Sequence, residues 1–126
     1  RLRETMGMAL ILITHDLGVV AETADEVLVM YAGKVVERGP VAELFGNPKH
    51  PYTRGLLSSI PKLTAVGEKR KSRLETIPGI VPSLTDLPKG CRFQSRCPHK
   101  FDRCVSECPE LREVGREHFI ACHKDL

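Results

Sequence analysis

The 126-residue chain contains no tryptophan and only 2 tyrosines and 4 phenylalanines. Recognition by ladders of stacked aromatic rings is therefore excluded as its main business. Long hydrophobic runs are also missing. The longest is Met8 to Ile13, far short of the roughly 18 residues that a membrane-spanning helix needs, and no charged-then-apolar leader opens the chain. These features lead us to expect a soluble protein made in the cytoplasm. Strong charge of either sign is lacking too. The formal net charge is +3, divided as −2 over residues 1–50, +4 over 51–90 and +1 over 91–126. A basic excess of that size does not point to nucleic acid. With 41% apolar residues, one modest core is expected.

What the sequence does have is cysteine. All 5 lie between Cys91 and Cys122, spaced as Cys91, Cys97, Cys104, Cys108 and Cys122. An odd number without a leader argues against a secreted disulfide framework and favours metal or redox chemistry. The close Cys-x2-Cys knuckles of zinc modules are absent, and the ferredoxin spacing matches poorly. Flanking Arg92, Arg96, Lys100 and Arg103 are expected to lower the thiol pKa values. His99, His118 and His123 are read as solvent-exposed, with zinc ligation the minority reading.

The opening Arg1-Leu2-Arg3-Glu4-Thr5 reads as the tail of a helix, and the chain as a piece of a longer polypeptide. Met8 to Thr14 reads as a strand covered on both faces, as in a parallel sheet. Asp16 is placed to cap a short helix over residues 17–24. Glu26–Tyr31 and Lys34–Glu37 read as a hairpin around Ala32-Gly33. Val41–Phe45 reads as a helical turn or two, ended by Gly46-Asn47-Pro48. Seven of the 9 prolines then fall within residues 48–98, leaving room for a helix over 53–59 opened by Pro51. Lys62–Arg73 reads as a solvated linker, and Ile77–Leu84 as an extended segment lying along another surface.

Thr14-His15-Asp16 closes the predicted buried strand, where open α/β sheets place ligands and catalytic groups. From the residues alone, His15 is either a histidine held in a turn or one that senses phosphate and moves a proton. A phosphate-binding loop is not found, since Gly33-Lys34 is followed by Val35. No Gly-x-Ser-x-Gly elbow occurs.

The stretches Leu10–Glu22 and Val29–Gly39 resemble the last third of an ABC-transporter ATPase domain. The segment Asn47-Pro48-Lys49-His50-Pro51-Tyr52-Thr53-Arg54-Gly55-Leu56-Leu57 narrows the resemblance to the ATPase subunits of oligopeptide and dipeptide importers. Their C-terminal extension carries a His-Pro-Tyr triplet. Pro78-Gly79-Ile80-Val81-Pro82 is similar to the segment that leads there into a cysteine-rich tail.

The resemblance implies an α/β C-terminal fragment of the ATPase domain over residues 1–47. A loop-rich, metal-stabilised extension would follow over 48–126, with its cysteine-rich tail at 91–122. It makes His15 the switch histidine of the complete subunit. It assigns Cys91, Cys97, Cys104 and Cys122 to a [4Fe–4S] cluster and leaves Cys108 outside the pattern. It implies ATP and Mg in the complete subunit, with transmembrane permease subunits and a second ATPase subunit as partners and a peripheral location at the inner face of the cell membrane. The phosphate loop, signature and acidic strand of the family find no match, so hydrolysis by this chain alone is not expected. The competing reading is a small zinc-binding interaction module with no ATPase role.

Overall fold

The computed structural model describes residues 5–60 and 76–124; the expected linker at Lys62–Arg73 lies outside them. Helix α1 (Leu17–Thr23) is followed by strands β1 (Glu26–Tyr31) and β2 (Lys34–Pro40), then helices α2 (Val41–Gly46), α3 (Pro51–Ser58) and α4 (Asp102–Ser106), and strands β3 (Arg112–Gly115) and β4 (His118–Ile120).

Local signals explain the first elements. Asp16 caps α1 by accepting hydrogen bonds from the Gly18 and Val19 N–H groups at 3.0 and 3.2 Å, which satisfies donors that the first helical turn leaves unpaired. The hairpin turn places Ala32 at φ 46° and Gly33 at φ 78°. Two successive positive φ values match the twist of flanking strands, and glycine adopts them at no steric cost whereas alanine does not. Pro51 begins α3, where its missing N–H forfeits nothing.

The sheet has the order β1-β2-β4-β3, with every pair antiparallel. Glu37 pairs with Ile120 and Arg38 with Phe119, and the Ala121 N–H donates to the Val36 carbonyl at 2.8 Å. The tail therefore completes the sheet begun by the hairpin. This corrects the expectation of an appendage with little regular structure: the proline-rich middle is irregular, but the chain beyond it returns as two strands. Val29, Tyr31, Val36, Leu44 and Phe93 form the core. The rings of Tyr31, Tyr52 and Phe93 meet edge-on or tilted, with centroids 4.8 to 5.5 Å apart. Ile77 packs against this core, as expected of an extended segment laid along another surface.

A second correction concerns Met8–Thr14, where no strand forms. Leu10, Ile11 and Ile13 are 73, 89 and 95% exposed. A strand needs neighbours to take its N–H and C=O groups, and no strand among the described residues pairs with this run. The slowest amide exchange is consequently expected at Val36, Glu37, Ile120 and Ala121 rather than at Leu10 to Ile13. Hydrogen exchange read by mass spectrometry checks this, and protection centred on residues 10–13 would contradict it.

Candidate functional site

Two neighbouring features make up the site: a buried polar junction between hairpin and tail, and a hollow lined by cysteine. The junction is built on Glu37, whose side chain is fully buried. Its carboxylate accepts the backbone N–H groups of Lys49 at 2.7 Å and His50 at 3.0 Å, and lies 2.7 Å from Nε2 of His118. A buried carboxylate is stable only when its oxygens are met by donors, and three donors meet this one. His118 is only 3% exposed, so the expectation of a solvent-exposed ring is corrected there. β4 brings it against β2 and Glu37 holds it.

His50, the first residue of the His-Pro-Tyr triplet, is 1% exposed. Its Nδ1 caps α3 by accepting the Tyr52 N–H at 3.1 Å, and its ring also bonds to the backbone of Ala121. Accepting at Nδ1 requires the neutral ring. Burial pushes its pKa down to about 4, against the opposing pull of the Glu37 charge and the Ala121 hydrogen bond. The unfolded ring titrates near 6.5, so the folded protein binds fewer protons between those values. This contribution to stability is complete above about pH 6.5 and lost as pH falls through about 4, on the order of 3 kcal/mol. Urea unfolding at pH 7 and pH 4.5 should show that loss. His50→Asn, which keeps a capping acceptor, should flatten the slope.

The hollow is lined by Cys91, Cys97, Cys104 and Cys122, together with His50 and His123 among others. The four cysteines named by resemblance thus all line this hollow. Cys108 does not join them: Nζ of Lys34 donates to its sulfur at 3.1 Å and to the Pro109 carbonyl at 2.8 Å. Loop and helix close tightly here. The Cys91 N–H donates to the Cys104 carbonyl at 2.8 Å, and a Cβ on the buried Gly90 would lie 2.2 Å from that carbonyl oxygen and 2.5 Å from that of Val105. Backbone oxygens cannot step aside as a side chain can, so Gly90→Ala should destabilise the tail by about 3 kcal/mol. A thermal melt checks this, and an unchanged midpoint would contradict it.

The expected lowering of thiol pKa values by nearby cations is corrected. Burial pushes the Cys91 thiol up to about 11, partly offset by a backbone hydrogen bond at Phe93 and reinforced by the other three thiols. Burial raises Cys97 as well. The arginines are engaged elsewhere: Arg92 with the Ala32 carbonyl, Arg96 with the Ile77 and Pro78 carbonyls, and Arg103 with Glu107. Among the described residues, no three His, Cys, Asp or Glu side chains form a group that could hold a metal ion. The thiols line a common hollow without converging on one point.

His15 stands apart from this site on an exposed bend. Thr14 Oγ1 accepts the Asp16 N–H at 3.0 Å, and Asp16 caps α1, so the backbone on its C-terminal side is fixed. The sequence reading missed Glu37 and His50 as structural centres. The available signal was a carboxylate directly following Val35-Val36 in the predicted strand.

A hairpin joined to a returning cysteine-bearing tail through a His-Pro-Tyr helix start defines the class. Residues 36–104 match the family described as the oligopeptide/dipeptide transporter C-terminal region, and the chain belongs to that family. It is 48% identical over 124 residues to a putative peptide import ATP-binding protein of Brucella melitensis, covering 97% of this chain and 37% of that protein. It is 49% identical over 120 residues to an oligopeptide transport ATP-binding protein of Mycobacterium bovis, covering 95% and 19%. With a dipeptide transport ATP-binding protein of Haemophilus influenzae it shares 45% over 119 residues, covering 94% and 34%. The chain thus spans between a fifth and two fifths of these relatives' lengths.

Proposed function

We propose that the protein is the C-terminal part of the ATP-binding subunit of an ABC-type peptide importer. Residues 1–47 close its ATPase domain, and residues 48–126 form the extension. The observation that carries this reading is the family match over residues 36–104, whose His-Pro-Tyr triplet forms the junction with the tail. In the complete subunit, ATP and Mg are bound by segments that find no match in this chain, and His15 acts on the γ-phosphate. The partners are the membrane permease subunits and a second ATPase subunit, at the inner face of the membrane. Peptide choice lies with other components.

The tail is proposed to hold a [4Fe–4S] cluster through Cys91, Cys97, Cys104 and Cys122. The donor chemistry supports this, because four thiols face one hollow and the fifth is held away by Lys34. A cluster takes each thiolate on a separate iron, which suits thiols that surround a hollow. A zinc ion would gather its ligands to within about 2.3 Å of one point. Bound metal would supply the positive charge that keeps these thiols deprotonated, since Arg92, Arg96 and Arg103 are engaged elsewhere. Anaerobic purification followed by iron, sulfide and zinc analysis and a visible spectrum tests the assignment. Brown protein with stoichiometric iron is expected; colourless protein with stoichiometric zinc would replace it with the zinc module.

A further inference from the structure

We propose that Glu37 is the positioning residue of the cysteine site, a reading that rests on the metal-binding role just given. The cysteines lie far from β2 in sequence, yet the start of α3, whose His50 lines their hollow, and β4, which leads to Cys122, meet at this one carboxylate. One oxygen accepts the Lys49 N–H and faces His118 Nε2, and the other accepts the His50 N–H. His50 itself lines the hollow and bonds to the backbone of Ala121, the residue before Cys122. His118 sits on β4, the strand that runs into Ala121 and Cys122. Gly39 leaves room for it, since a Cβ there would meet the His118 ring at 3.3 Å. Glu37 therefore holds the start of α3 and the start of β4 against one another, and β4 leads on to Cys122 in the lining of the hollow.

The carboxylate does this as an acceptor on both oxygens. Glu37→Gln keeps shape and volume but turns one oxygen into an NH2 group. A donor must then face either the His50 N–H or the pair formed by the Lys49 N–H and His118, and one of these contacts is lost. Residues that orient metal ligands from behind typically cost about 10–100-fold in metal affinity when changed.

The test has two arms. In the first, the iron-free protein is pulsed anaerobically with iodoacetamide, and each cysteine is followed by peptide mass spectrometry. In Glu37→Gln, and in His118→Leu, which removes only the β4 contact, Cys122 should be alkylated about tenfold faster, as expected when a hydrogen bond to a charged group is lost. Cys108, tied to Lys34, should be unchanged. Unchanged labelling of Cys122, or equal acceleration of Cys108 as in global loosening, would overturn the proposal. In the second arm, reconstitution with iron and sulfide should show the variant binding about 10–100-fold more weakly, with an altered visible spectrum; equal affinity and an identical spectrum would overturn the positioning role. Failure of the unchanged protein to take up iron would overturn the metal reading instead, and the alkylation arm would still decide the role of Glu37.

Discussion

Replacing Cys91, Cys97, Cys104 or Cys122 by serine should abolish stoichiometric iron binding, while Cys108→Ser should retain it. The four line one hollow, and partial burial favours the neutral thiol at Cys91 and Cys97. Serine approximates their size but offers a poor ligand for iron, so each change removes a ligand with little change of packing. Local order should fall with the iron. The tail between Gly90 and Cys122 contributes Phe93, Cys104, Ile120 and Ala121 to the buried apolar set, a small core for its length, and ligation closes loops that the unfolded chain would otherwise explore. Cys108 has a different task. Its sulfur accepts from Lys34, which also reaches the Pro109 carbonyl, so Cys108→Ser exchanges one acceptor for another and leaves the hollow alone. Iron analysis of the five variants, with amide exchange over residues 91–122, decides the matter. Iron lost from Cys108→Ser and kept in Cys104→Ser would overturn the assignment.

The elements legible in the sequence were those whose causes are local. The Asp16 cap, the Ala32-Gly33 turn and Pro51 at the start of α3 each act within a few residues, and the structure places α1, the hairpin and α3 where these signals predict. Features that depend on distant partners were not legible. Met8–Thr14 has the composition of a buried strand, but composition cannot supply the neighbours that would pair with it. β3 and β4 are short and separated from β2 by more than 70 residues, so nothing near them announces the pairing of Glu37 with Ile120. The site divides in the same way. The cysteines declared themselves by type and clustering, and resemblance separated four from the fifth; the structure puts those four around one hollow. Glu37, His50 and His118 looked like ordinary polar residues. Their burial arises only when the tail returns to the hairpin. The arginines beside the cysteines misled for the same reason, because sequence neighbours need not be neighbours in space once Arg92 and Arg96 reach back to the hairpin turn and to Ile77 and Pro78.

His15→Ala in the complete subunit should slow ATP hydrolysis by about a hundredfold or more while leaving nucleotide affinity mostly unchanged. Thr14 and Asp16 each accept backbone N–H groups through their side chains, which fixes the chain on the C-terminal side of His15 and presents an exposed imidazole at the start of α1. The apolar run from Leu10 to Ile13 leads directly into that bend. When neighbouring strands cover such a run, its carboxyl end lies at the edge of the sheet where ligands bind. An imidazole there can donate to a phosphate oxygen and exchange a proton near neutral pH, so its interaction strengthens as charge develops on the transferring phosphoryl group. An interaction made mainly in the transition state lowers turnover when removed and leaves ground-state binding nearly intact. Steady-state hydrolysis beside a nucleotide titration separates the two effects. Normal turnover in His15→Ala would return this residue to a turn histidine, and an equal loss of affinity and turnover would mean that it holds the nucleotide rather than the reaction.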